Sequence, residues 1–174
     1  MAFAADKWGA DVMPPILIAK LIVLVSVANG TPVLLKRLMG NRLSQPIDGG
    51  IHFVDGRRLL GPSKTIRGAL VSVGLTTAIA PLLGLDAAIG ALVGAGAMLG
   101  DLLSSFVKRR LGFAPSSRLT GFDQIPESLL PLLACREPLS LSAIDILVGV
   151  GVFSVGAIAL SPIFHRAGIR DTPF

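Results

Sequence analysis

The sequence predicts an all-α, polytopic membrane protein of about five transmembrane helices, with an ordered cytoplasmic loop between helices 1 and 2. Three observations carry this. The 174 residues are 52% hydrophobic and only 16% charged, with mean hydropathy +0.72, whereas soluble domains run near ~25% charged. Apolar stretches recur at lengths approaching the roughly 20 helical residues that hydrocarbon requires. Lysine and arginine, in turn, gather in loops that fall on one side. The length suits a single integral membrane domain over residues 1–174. The same composition excludes disorder. One cysteine, Cys135, excludes a disulfide framework and a cysteine-rich metal site. The net charge of +5 sits beside apolar segments, so it calls for no nucleic-acid partner.

The first segment spans about Met13 to Leu35. The second and third, about Ala69 to Leu85 and Ala87 to Val107, meet in a tight turn at Gly84, Leu85 and Asp86, with Asp86 placed to cap the third helix. The fourth, about Ile125 to Cys135, is short and holds Pro126 and Pro131, which predicts a short, tilted or partly re-entrant helix. The fifth covers about Leu141 to Ile163. The first segment does not read as a signal peptide, because Met1 to Val12 has no basic region and no small-residue cleavage site follows. Gly90 and Gly94, and likewise Gly96 and Gly100, are four apart, a spacing that lets helix backbones approach closely in lipid.

Basic residues resist translocation. Lys36, Arg37, Arg42, Arg57, Arg58, Lys64 and Arg67 lie in the first long loop, Lys108, Arg109, Arg110 and Arg118 follow the third segment, and Arg166 and Arg170 close the chain. Only Lys7 and Arg136 fall opposite, and Lys20 lies within the first segment. Thirteen against two predicts a multi-pass protein of the cell membrane, N-terminus outside and C-terminus in the cytoplasm. Five crossings are required, which keeps the weak fourth segment.

An aspartate at a helix centre in lipid costs roughly 2.5–3.5 kcal/mol, so each needs a reason. Asp101 lies about six residues, roughly 9 Å, from the expected end of its segment. Ser104, Ser105 and Lys108 follow at i+3, i+4 and i+7, on one helix face. Either Asp101 and Lys108 merely pair, or the face serves a ligand. In the first segment Asn29, Gly30, Thr31 and Pro32 interrupt the apolar run, because proline removes a backbone hydrogen bond. The interruption is either a simple kink or part of a wet cavity open to the cytoplasm.

In the long loop, Asp48-Gly49 and Asp55-Gly56 are turn signals around the β-prone run Ile51 to Val54, consistent with a small hairpin. Gly61 to Gly68 brings backbone amides, Ser63, Thr65, Lys64 and Arg67 to the start of a helix, a phosphate-binding combination. It is not a Walker A loop, and attraction to anionic headgroups is the competing explanation. Lys20 either snorkels or pairs with Asp145. His52 and His165 are too far apart to suggest a zinc site. The cytoplasmic side thus offers Asp101, Asp123 and either Asp48 or Asp55 amid many cations. Magnesium commonly binds one or two carboxylates plus substrate phosphates, which suits a nucleoside triphosphate meeting a lipid phosphate.

Four ordered blocks carry a family likeness: Ala28-Asn29-Gly30-Thr31-Pro32; Asp55-Gly56-Arg57-Arg58 with Gly61-x-Ser63-Lys64-Thr65-x-Arg67-Gly68; Gly100-Asp101-x-x-Ser104-Ser105-Phe106-x-Lys108-Arg109-Arg110; and Asp123-Gln124-Ile125-Pro126. Spanning about Ala28 to Glu127, they resemble the CDP-archaeol synthase family, the short five-helix branch of the CTP-dependent phosphatidate cytidylyltransferases. The resemblance implies that CTP and a glycerol-based lipid phosphate yield a CDP-lipid and pyrophosphate, with Mg2+. It implies Asp101, Lys108 and Lys64 as catalytic residues and Asp101 and Asp123 as metal ligands. It further implies Asn29, Asp55, Ser63, Lys64, Thr65, Arg67, Ser104, Ser105, Lys108 and Arg109 around the nucleotide. The longer enzymes of that superfamily carry a Pro-Gly-His-Gly-Gly…Asp-Arg-x-Asp-Ser signature that Ala114 to Gln124 lacks, so its histidine role does not transfer. A CDP-alcohol phosphotransferase would need four aspartates where the third segment has one. A small non-enzymatic transporter or assembly subunit would explain the break at Asn29 to Pro32 but leave Asp101, Lys64 and Arg67 without a task.

Overall fold

A computed structural model describes residues 14–166 apart from 115, 116, 118 and 120, and the side chains of 162–166 are likewise outside the description. The expectations for Lys7, Arg118, Arg170, His165 and the Arg166 side chain therefore lie outside the described residues. The described chain forms five helices and no strand: α1 (Pro15–Met39), α2 (Ile66–Ile79) continued by a 3-10 turn (Ala80–Leu83), α3 (Ala87–Arg110), α4 (Gln124–Ala134) and α5 (Ala143–Arg166).

Local chemistry sets the ends. Pro15 occupies the first turn of α1, where its missing N–H costs nothing. Thr65 caps α2 by accepting from the Gly68 amide at 3.1 Å, and Asp86 caps α3 as expected, accepting from the Ala88 amide at 2.7 Å. Gly84 stops the 3-10 turn in the left-handed region at φ 69°. Two ends run past the apolar segments. α1 reaches Met39 and α3 reaches Arg110, because Lys36 and Arg37, and then Lys108, Arg109 and Arg110, stand in last turns, where cations meet the negative end of the helix dipole. Those residues are helical rather than part of the loops, and Arg67 likewise sits in the first turn of α2.

Asn29 to Pro32 does not break α1. Pro32 removes the donor for the Ala28 carbonyl, and the Ser72 hydroxyl of α2 supplies one in its place at 3.0 Å, with Ser72 fully buried. The helix passes through the proline because a neighbouring helix satisfies the carbonyl it leaves open.

α3 is the central helix, contacting α1, α2 and α4. Its glycines divide between two faces. A methyl group at Gly90 or Gly94 would lie 2.3 Å from the Thr76 carbonyl or hydroxyl of α2, whereas one at Gly96 or Gly100 would run into the backbone of Pro131 or Pro126 in α4. A buried apolar core joins Leu21, Leu24 and Val25 of α1 to Ile89 and Val93 of α3, Leu132 of α4 and Phe153 of α5. Among the described residues, four helices are long and apolar enough to cross a membrane. α4 is not among them: its 11 residues extend about 16 Å, against hydrocarbon of roughly 30 Å, in keeping with the short segment expected at 125–135.

Candidate active site

The α1–α2 loop folds around Asp48. Its carboxylate, with no solvent exposure of the side chain, accepts from the amides of Gly50 (3.0 Å), Leu60 (3.1 Å) and Gly61 (2.9 Å) and from Arg58 Nη2 (2.9 Å). In place of a full hairpin there are two isolated antiparallel bridges, Pro46 with Thr65 and His52 with Arg58. Burial alone would raise the Asp48 carboxyl, but the three amides and Arg58 outweigh it and hold its pKa at about 2, against an ordinary 3.8. A lowered carboxyl stabilises the folded loop above its unfolded pKa and ceases to do so as pH falls through the folded value. Amide-exchange protection of Leu60 and Gly61 is therefore expected to hold down to about pH 4 and to fall between about 4 and 2. Asp48→Asn should lose part of that protection at neutral pH and flatten its acid dependence. A pH-dependent fall that persists unchanged in the Asn variant would rule this out.

The loop delivers Ser63, Lys64 and Thr65 to a cavity of about 590 Å³ between α1, α3, α4 and α5. Lys64 Nζ pairs with Asp101 Oδ1. About two turns further along α3, Lys108 Nζ pairs with Asp123 at 2.8 Å and also donates to the Ser117 carbonyl at 2.9 Å. Of the two alternatives for the α3 face, the Asp101–Lys108 pair does not form: Asp101 pairs with Lys64 of the loop, and Lys108 pairs with Asp123. Arg109 is 5% exposed, donates through Nη2 to the Ala114 carbonyl at 2.8 Å, and has no hydrogen-bond partner at Nε or Nη1. Asn29 Nδ2 is a second buried donor without an acceptor. Both residues line the cavity, as do Lys36, Ser105, Gln124 and, from α5, Ala157 and Ile158. Buried unpaired donors among ion-paired lysines make a chamber suited to a polyanion.

Not every sequence candidate faces this chamber. Asp55 does not line it: it accepts from the Arg57 amide at 3.1 Å and pairs with Arg110 at 2.8 Å. Ser104 is buried beneath the floor, donating to the Asp101 carbonyl at 3.0 Å. The Thr65 hydroxyl is occupied as the α2 cap. Arg67 lines the cavity, yet its guanidinium holds the Gly40 and Arg42 carbonyls at the end of α1. His52 is exposed on the outer loop.

Glu127 is the site residue that sequence reading missed. Pro126 presses on Gly100 in the first turn of α4, and the next residue, Glu127, lines the cavity beside Asp101. The signal was available as an acidic residue in an apolar segment. Asp101, Asp123 and Glu127 bring carboxyl groups to one chamber, but among the described residues no three acidic, histidine or cysteine groups are arranged to enclose an ion by themselves.

A family model for CarS-like CDP-archaeol synthases matches residues 16–89 and 84–174. The CDP-archaeol synthase of Sulfurisphaera tokodaii is 35% identical over 154 residues, covering 85% of this chain and 89% of the relative. That of Thermofilum pendens is 35% identical over 163 residues, covering 85% and 76%. A solved structure described as an intramembrane enzyme for archaeal membrane lipids biosynthesis superposes with TM-score 0.70 at 31% identity, covering 83% of this chain and 92% of that one. With a family match across nearly its whole length, this chain belongs to the CDP-archaeol synthase family.

Proposed function

We propose that the protein transfers CMP from CTP to a glycerol-based lipid phosphate, forming a CDP-lipid and pyrophosphate for phospholipid synthesis. The observation that carries the reading is the chamber itself: two lysine–carboxylate pairs, Lys64 with Asp101 and Lys108 with Asp123, and Arg109 with its Nε and Nη1 unpartnered face one cavity that also touches apolar α5. A lipid phosphate oxygen attacks the α-phosphorus of CTP, and the bond from that phosphorus to the bridging oxygen of the β-phosphate breaks. The pyrophosphate so formed leaves with the electron pair. Little covalent chemistry is asked of the protein, so catalysis rests on alignment and on neutralising phosphate charge.

Lys64 at the start of α2 and Lys108 with Arg109 at the end of α3 approach the phosphates from two sides, while Asn29 offers a donor to the nucleotide. The oxygen-only donor set fits magnesium, which takes few protein ligands and fills its shell with phosphates and water. Asp101 would hold it, with Asp123 or Glu127 beside it, and when bound it supplies positive charge to the triphosphate. The relatives' names favour an isoprenoid ether lipid phosphate. The transporter reading drew on a gate-like break at Asn29 to Pro32, and α1 runs unbroken through those residues.

The positive-inside distribution supports a chamber facing the cytoplasm. One experiment tests chemistry and sidedness together. Sealed right-side-out vesicles, given external CTP, Mg2+ and competing dialkyl and diacyl glycerol phosphates, should release pyrophosphate only after permeabilisation, with CDP-dialkylglycerol the major product by mass spectrometry. Pyrophosphate release before permeabilisation would reverse the orientation, and no CDP-lipid in either state would end the transferase reading.

A further inference from the structure

The outer side of the last α3 turn carries a second arginine arrangement, away from the chamber. Arg57 Nη1 donates to the Arg110 carbonyl at 2.9 Å and the Arg109 carbonyl at 3.3 Å, so a loop residue satisfies the open C-terminal carbonyls of α3. Arg110 reaches back: Nη1 pairs with Asp55 at 2.8 Å, and Nη2 donates to the Arg58 carbonyl at 2.7 Å. Its guanidinium carbon lies 4.6 Å from the ring centre of Phe53 and 5.1 Å from that of Phe106, and the two rings meet edge to face at 5.7 Å. Gly112 leaves the space Arg57 needs, since a methyl group there would sit 2.8 Å from Arg57 Nη1.

This double contact ties the loop that carries Lys64 to the helical turn that carries Lys108 and Arg109. From the Arg58 carbonyl the connection continues through the Arg58 side chain to Asp48, from Asp48 to the Gly61 amide, and along three residues to Lys64. We propose that Arg57 and Arg110 are positioning residues that set the spacing between the two phosphate-binding cation groups, Lys64 on one side and Lys108 with Arg109 on the other. The proposal rests on the transferase reading of the chamber and assigns neither arginine a contact with substrate.

The test uses purified full-length protein in detergent with CTP, Mg2+ and lipid phosphate. Arg57→Ala and Arg110→Ala are each expected to lower kcat/KM for CTP by about 10- to 100-fold, the cost of a small misplacement of binding groups. The loss should appear as a raised KM for CTP, with KM for the lipid phosphate little changed. A merely structural role would reduce the folded fraction, lowering kcat and leaving KM for CTP alone, and that result in both variants would overturn the proposal. Arg57→Lys keeps the charge but not the planar guanidinium whose Nη1 donates to both carbonyls, so it should recover only part of the loss; full recovery would refute the carbonyl clasp. It also serves as the milder variant should the alanine forms fail to fold. Amide exchange at 59–61 should quicken in every variant, and unchanged exchange would count against the clasp whatever the kinetics. Absence of CTP turnover from the unaltered protein would sink the transferase reading instead, leaving the exchange rates to judge the clasp separately.

Discussion

Asp101→Asn is expected to leave a folded, monodisperse protein with CTP turnover reduced by about 1,000-fold or more, the scale of several kcal/mol of transition-state charge stabilisation. The substitution is nearly isosteric, so packing against α4 survives, but it removes the charge that Lys64 pairs with and that a bound magnesium ion would use. Glu127 lines the same cavity but does not replace the charge at position 101. Pyrophosphate release is the measurement, over a magnesium titration that reaches saturation. Comparable rates for the Asn variant and the unaltered protein at saturating magnesium would show that the α3 carboxylate is not part of the chemistry.

Gly100→Ala is expected to damage fold and activity together. The added methyl group would lie 2.1 Å from the Pro126 carbonyl oxygen and 2.8 Å from the Glu127 Cα, both backbone atoms that no rotamer change can move aside. Overpacking of this kind costs about 1–3 kcal/mol or more. Here relief requires α4 to slide off α3 and take Asp123 and Glu127 with it. Gly151→Ala supplies the control, since a methyl group at that α5 position meets nothing within 4 Å. Thermal unfolding in detergent should show a clear loss of Tm for the first and almost none for the second. Equal Tm values would mean that α3 and α4 are not packed as described.

The sequence exposed some of this and concealed the rest for identifiable reasons. Hydropathy located α1, α2, α3 and α5, because spanning hydrocarbon is a requirement on composition alone. It placed the helix ends too early, at Leu35 and Val107, since a basic last turn is polar and helical at once. Glycine spacing was legible as close packing, but only the fold shows that Gly90 and Gly94 serve α2 while Gly96 and Gly100 serve α4. Asp101 announces itself as a costly charge, with Lys108 and Arg109 following it along the helix and Lys64 in a phosphate-binding loop pattern, and the four do share a cavity. Which lysine meets which carboxylate is decided by segments far apart in sequence, so the pairing could not be read from helical spacing. Asp55 and Arg67 looked like ligands for the nucleotide, yet the loop uses them for its own ion pair and backbone contacts. Glu127 was hidden by the two prolines that made its segment look irregular.

The bond from Ser72 to the Ala28 carbonyl bears on how the protein is built during synthesis. α1 emerges and enters the bilayer before Ser72, 44 positions downstream of Ala28, has been translated. Until then Pro32 leaves a carbonyl at membrane depth with no donor, a condition worth several kcal/mol in hydrocarbon. α1 is therefore an incomplete solution by itself, and its pairing with α2 is driven by a hydrogen bond as well as by packing. The first two helices are expected to associate as soon as α2 is inserted, which brings Asn29 and Lys64 to the same side of the nascent protein before α3 arrives to complete the chamber.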